Sequence, residues 1–148
     1  MGRGVLIGMA HVRDIMEKNV VTIDHGKTSL EAARLLKEKE ISFLVVLKDN
    51  LPAGIVSERD FVRKLVAEDK TASKVSLEEI MSKKFRWVKP DSLIEDAVQK
   101  MLNNNIRRLL VLEDEKLVGV ITQTDLTSFL RSKLLINGTV ENIESEKD

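Results

Sequence analysis

Gly54-Ile55-Val56-Ser57-Glu58-Arg59-Asp60 recurs 65 residues later as Gly119-Val120-Ile121-Thr122-Gln123-Thr124-Asp125. Each copy reads as the end of a strand that turns at once into a helix. The glycine and the apolar pair continue an extended run. The Ser or Thr, with Asp three residues on, sets polar side chains where a helix begins. Two unrelated apolar segments could agree in a few columns, but they would not keep a Gly and an Asp at the same spacing in register.

The agreement extends outward on both sides. Residues 12–65 align with 77–130 without a gap. Ile15/Ile80, Met16/Met81, Ala32/Ala97, Leu44/Leu109, Val46/Val111, Asp49/Asp114 and Leu65/Leu130 are identical pairs. A duplication of this size means that a supersecondary unit is repeated, each copy covering apolar surface of the other.

Each copy predicts the same elements. A helical turn ends at Asp14-Ile15-Met16 and at Glu79-Ile80-Met81. A short strand follows, Val20 to Ile23 and Phe85 to Val88. The next helix opens with a capping box, Thr28 to Glu31 in the first copy and Ser92 to Glu95 in the second. These boxes are offset by 64 residues rather than 65, which predicts a helix start shifted by one residue between copies. Ala32, Ala33 and Leu36, with Ala97, Val98 and Met101, fall at helical spacing as the buried stripe. Two apolar strands follow, Phe43 to Leu47 with Ala53 to Ser57, and Arg108 to Leu112 with Leu117 to Thr122. Their near-continuous apolar runs suit burial on both faces. Asp49-Asn50 and Asp114-Glu115 supply the turns. A last helix presents Phe61, Val62, Leu65 and Val66 in the first copy and Leu126, Phe129 and Leu130 in the second. Residues 68–76 are polar and link the copies. The fold class is mixed α/β (α+β): two β-α-β-β-α repeats, each a three-stranded sheet with helices packed on it.

This order, with these residues, resembles the CBS domain, and the duplication resembles the tandem CBS pair called a Bateman module. The Asp-Ile-Met opening, the strand starts Ile41-Ser42-Phe43-Leu44 and Ile106-Arg107-Arg108-Leu109, and the paired Gly-to-Asp motif carry the resemblance. It divides the chain into repeat 1 at 9–70, repeat 2 at 71–136 and a polar tail at 137–148. The family often has Pro ahead of its second-strand Val-Val, where Val45 and Leu110 stand here. The resemblance implies two clefts related by a pseudo-twofold axis. It also implies a stand-alone regulatory sensor that binds AMP, ADP, ATP or an adenosyl relative such as S-adenosylmethionine.

The motif residues suit such a ligand. A carboxylate accepts two hydrogen bonds from a vicinal diol, so Asp60 and Asp125, with the hydroxyls of Ser57 and Thr122, are the ribose candidates. Arg59, Arg107, Arg108 and Thr124 are the phosphate candidates. Neighbouring strand residues point to opposite faces, so Arg107 and Arg108 cannot both enter one cleft unless the strand is irregular. The resemblance combines the Asp motif of one repeat with the first strand of the other. That makes Ile55 with Phe85 and Arg86, and Val120 with Val20 and Val21, the adenine candidates. Simpler readings stand beside these: helix caps for the Ser/Thr and Asp pairs, surface ion pairs for the arginines, and a core position for Trp87 rather than a base-stacking one.

The rest of the sequence narrows the class. Twenty-four basic residues balance 24 acidic ones, so no overall field draws nucleic acid or an anionic membrane. There is no Cys, and His11 and His25 are the only histidines, which gives no metal-ligand or thiol spacing. No phosphate-loop or dinucleotide fingerprint occurs. The expectation is therefore no enzyme, no cofactor and no metal. The lack of Cys suits a cytoplasmic protein, and the resemblance implies an adenine nucleotide as ligand, a homodimer that the apolar last helices would suit, and a separate target protein. A ligand-free docking scaffold is the alternative. The Val5-Leu6-Ile7 patch is expected to pack loosely, and the tail from Asn137 is expected to fray.

Overall fold

The computed structural model describes residues 10–136; the Val5-Leu6-Ile7 patch and the tail from Asn137 lie outside the described residues. The elements are α1 (Val12–Ile15), β1 (Thr22–Asp24), α2 (Ser29–Lys39), β2 (Phe43–Lys48), β3 (Leu51–Ser57) and α3 (Glu58–Phe61). A π-helical turn, Val62–Val66, continues α3, and a 3-10 turn, Ala72–Lys74, leads on. The second half holds α4 (Leu77–Ile80), β4 (Trp87–Val88), α5 (Ile94–Asn104), β5 (Arg108–Glu113), β6 (Lys116–Thr122) and α6 (Gln123–Ile136). This is the mixed α/β arrangement expected, with two three-stranded sheets in the orders β1-β2-β3 and β4-β5-β6.

In each sheet the first strand runs parallel to the middle one, pairing Thr22 with Val45 and Trp87 with Leu110. The third strand of the first sheet returns antiparallel, pairing Phe43 with Ser57 and Val45 with Ile55. Pro52 is tolerated in β3 because it sits beside a bulge at Val46/Leu47 on an edge strand. The hairpin turns are made by Asp49-Asn50 and Asp114-Glu115, all four with left-handed backbone. Asp and Asn are among the residues that enter that region most readily. Leu44, Val45 and Val46 are all fully buried, as are Leu109, Leu110 and Val111. Side chains alternate along a strand, so both faces of each middle strand are covered.

The described residues fall into two compact units that do not follow the sequence repeat. One unit holds residues 19–85 with 114–117; the other holds 10–18, 86–113 and 118–136. The leading helical turn of each repeat therefore packs on the sheet of the other repeat. In the 19–85 unit, Leu77, Ile80 and Met81 join Ala32, Leu36, Leu44, Val46 and Val56 in the core. In the other unit, Val12 joins Ala97, Met101, Leu109, Val111 and Ile121, with Ile15 and Met16 packed alongside.

The exchanged segments also supply backbone hydrogen bonds. Ser82 and Ile55 exchange N–H···O bonds of 2.8 and 3.0 Å, as Glu17 and Val120 do at 2.8 and 3.0 Å. The first amide of α2, at Ser29, donates to the Val75 carbonyl (2.8 Å), and the first amide of α5, at Ile94, donates to the Ala10 carbonyl (3.2 Å). A helix start leaves such amides without intrahelical partners, and here the crossing chain satisfies one in each unit.

One local expectation is corrected. The first capping box forms as expected: Glu31 N–H donates to Thr28 Oγ1 and Thr28 N–H to the Glu31 carboxylate. The second does not. α5 is capped at Leu93, the counterpart of Thr28, and Ser92 Oγ instead accepts from Lys89 N–H at 3.2 Å. The two helices thus start in register. Their start is set by the incoming backbone of the crossing segment, not by the nearest Ser. Along the stretch after α3, Val62 and Val66 are 60% and 70% exposed while Leu65 is buried.

Candidate functional site

In each unit the third strand delivers a hydroxyl residue to the cap position of the following helix, and the Asp falls in the first turn. Ser57 N–H donates to Asp60 Oδ2 at 2.8 Å, and Ser57 Oγ lies 3.2 Å from the same oxygen. Thr122 N–H donates to Asp125 Oδ2 at 2.9 Å, and Asp125 N–H donates to Thr122 Oγ1 at 3.1 Å. Both pairs therefore act as helix caps, one of the two roles the sequence allowed. The strand start lies against the same turn in both units: Glu58 N–H donates to the Ser42 carbonyl (3.0 Å) and Gln123 N–H to the Arg107 carbonyl (2.9 Å).

The two motifs differ in what remains of the carboxylate. Asp60 Oδ1 is taken by Lys64 Nζ at 3.0 Å, and the Asp60 side chain is 14% exposed. Asp125 Oδ1 has no partner among the described residues, and the counterpart of Lys64 is Phe129. Thr122 Oγ1 enters the cap as an acceptor, and its proton has no acceptor among the described residues.

The phosphate candidates scatter around these turns. Arg59 and Thr124 are exposed on the first turn of their helices. Arg107 is exposed one residue before β5, and Arg108 is half-buried as its first residue. That difference in burial fits the alternation expected of neighbouring strand positions.

Among the adenine candidates, Ile55 and Phe85 are half-buried and belong to the same unit as Asp60; Val20 and Val21 are half-buried just before β1. The Val21 carbonyl accepts from Val45 N–H, and the Arg86 carbonyl from Leu110 N–H. Arg86 is not directed to a carboxylate: its Nε donates to Asn104 Oδ1 at 3.1 Å. Val120 is buried on β6, where its backbone pairs with Glu17.

Trp87 departs from the core position expected for it. It is 43% exposed, with Lys100 Nζ 5.7 Å from its ring centroid and 2.6 Å from its carbonyl oxygen. β4 is two residues long, so one of its two side chains must face away from the core, and Val88 takes the buried side.

An open groove of about 780 Å³ runs along α2 and α3, lined by Ala33, Leu36, Ile41 and Phe61 with Glu40 and Glu58 at its margin. None of the ribose, phosphate or adenine candidates lines it, although Glu58 neighbours Ser57. Among the described residues no cluster of His, Asp or Glu has the makings of a metal site. No helix there is long and apolar enough to cross a membrane.

Comparison with known proteins bears on the repeat. The CBS domain family model matches residues 12–67 and 77–132. An uncharacterized protein of Methanopyrus kandleri is 32% identical over 117 residues, covering 78% of this chain and 60% of that relative's length. A solved signal-transduction protein with CBS domains from Burkholderia ambifaria aligns with a TM-score of 0.75 and 31% identity, over 82% of this chain and 93% of that one. The CBS domain pair of protein MJ0100, solved with 5′-methylthioadenosine and S-adenosyl-L-methionine, aligns with a TM-score of 0.74 and 26% identity, over 84% of this chain and 98% of that one.

Proposed function

Because the chain belongs to the CBS domain family, as a tandem pair, we propose that it is a non-catalytic regulatory module that binds an adenine nucleotide or a related adenosyl ligand. The carboxylates of Asp60 and Asp125 receive the ribose diol, helped by the hydroxyls of Ser57 and Thr122. Arg59, Arg107, Arg108 and Thr124 meet the phosphates when the ligand carries them. Ile55 and Phe85, with Arg86, Val20, Val21 and Val120, supply the adenine surface.

The observation that carries this reading is the Thr122–Asp125 turn. Its cap uses one carboxylate oxygen and leaves the other, with the threonine hydroxyl proton, unspent among the described residues. A cap alone needs only the first oxygen. A diol needs two acceptors, or an acceptor and a donor, at this spacing. The complex of the MJ0100 pair with two adenosyl compounds supports the ligand class.

Occupancy is passed to a separate protein, and the chain works as a homodimer. Val62, Val66, Leu130 and Leu134, exposed along the last helix of each repeat, are the apolar positions available for self-association.

Calorimetric titration with AMP, ATP and S-adenosylmethionine tests the reading. At least one should bind, and Asp60→Ala with Asp125→Ala should weaken it by about two orders of magnitude, as loss of charge-assisted hydrogen bonds does. Absence of binding at millimolar ligand leaves a ligand-free dimerisation scaffold, and binding untouched by the double variant overturns the assignment of the ribose to Asp60 and Asp125. Phosphate contacts by the arginines would make affinity fall with salt and rise from adenosine to ATP.

A further inference from the structure

The two motifs share a backbone but not a side-chain state, and the difference traces to one lysine. Lys64 sits in the π-helical turn that continues α3. Its ammonium donates to Asp60 Oδ1 at 3.0 Å and to the Ile80 carbonyl at 3.0 Å. With Ser57 N–H and Oγ on Oδ2, both oxygens of Asp60 are engaged. In the other motif the sequence continues as an unbroken α-helix, Gln123–Ile136, and Phe129 stands where Lys64 would. Lys133 lies over the Phe129 ring, 5.4 Å from its centroid. An aromatic ring cannot neutralise a carboxylate, so Asp125 keeps an oxygen without a partner among the described residues.

We propose that Lys64 is a specificity-determining residue that closes the Asp60 motif, so that Asp125 is the primary ribose site and Asp60 accepts a diol only when Lys64 is displaced. This rests on the proposed function and adds an order of occupancy to it. The closure is graded, because Lys64 is 44% exposed and water competes for its ammonium. A partly exposed ion pair with one further hydrogen bond corresponds to a preference of about tenfold between the motifs.

Adenosine and AMP titrated into the full-length chain test it. Adenosine carries the diol without a phosphate, so it separates closure by Lys64 from contact of Lys64 with phosphate. The wild-type chain should take one adenosine per chain before any weaker second one, and Asp125→Asn should remove the stronger event. The Asn oxygen can still accept from Thr122 N–H, and melting curves check that the variant is folded. Lys64→Met, which keeps the stem and removes the charge, should strengthen the weaker event by about tenfold, while Lys64→Arg should preserve the wild-type pattern. The comparison of wild type with Lys64→Met needs no Asp variant. Two equal adenosine sites in the wild type, or a Lys64→Met chain whose second event is unchanged or weaker, would overturn the closure while leaving the proposed function standing. A loss confined to AMP would make Lys64 a phosphate contact and overturn it too. If neither chain binds adenosine or AMP, the ligand reading itself falls, and this inference with it.

Discussion

Ser29 is fully buried, and its hydroxyl has no hydrogen-bond partner among the described residues. Its counterpart in the other copy is Ile94, buried in the apolar core of its unit. The equivalent position in the other copy thus holds an apolar side chain, and an unpaired buried hydroxyl at Ser29 costs on the order of 1 kcal/mol or more. Ser29→Ala is expected to leave stability unchanged or raise it by about 1 kcal/mol, read from denaturant melts; a clear loss would mean that the hydroxyl has a partner. Glu31 gives a pH signature. The Thr28 N–H bond to its carboxylate is the main cause that holds its pKa below the usual glutamate range, with the Thr28 hydroxyl and the Lys27 and Arg34 charges adding to it. A carboxyl whose pKa is lowered on folding stabilises the fold above its unfolded pKa and loses that contribution as pH falls through the folded value. Glu31→Gln should therefore melt below wild type at neutral pH and converge with it in acid. A gap that stays constant with pH would assign the effect to something other than the charge.

At the scale of elements, Gly54 and Gly119 are held small by the segments that cross them. A Cβ at Gly54 would stand 2.8 Å from the Ser82 carbonyl oxygen and 3.0 Å from Met81 Sδ; at Gly119 it would stand 2.9 Å from the Glu17 carbonyl oxygen and 2.7 Å from Met16 Sδ. Met16 and Met81, identical in the repeat, therefore pack on each other's copy, and the Gly and Met columns are one contact made twice. The methionine can bend away, but the backbone oxygen is fixed by its exchange of hydrogen bonds with the strand. Gly54→Ala and Gly119→Ala should each cost about 1–3 kcal/mol by overpacking. Wild-type stability in both would mean that the crossing is loose. Leu77 is fully buried on the sheet of the preceding repeat, so Leu77→Ala should lower stability by about 2–5 kcal/mol. Val62→Ala and Val66→Ala, at exposed positions, should stay within about 0.5 kcal/mol of wild type in the monomer.

For the whole molecule, the repeat and the packing unit are different divisions of the same chain. A fragment of residues 10–76 contains the whole first repeat but lacks Leu77, Ile80, Met81 and the Ser82 pairing with Ile55. A fragment of residues 19–85 keeps them all. The second fragment should show the more cooperative thermal transition by circular dichroism; the reverse order would mean that the crossing turn adds little. Much of this fold was legible in advance. The sequence alone determined the duplication, the order of strands and helices, the Asp-Asn and Asp-Glu turns and the double-faced burial of the middle strands. Each of these depends on neighbours close in the chain or on apolar periodicity. It also marked Ser57, Asp60, Thr122 and Asp125 as residues at a helix start. Only the tertiary structure decided where α5 begins, that Trp87 faces outward, that α1 and α4 cross to the other copy's sheet, and that Lys64 reaches Asp60 while Phe129 cannot replace it. Those outcomes turn on which segments meet in space, and a contact between distant stretches, or the fate of one carboxylate oxygen, leaves no periodic trace along the chain.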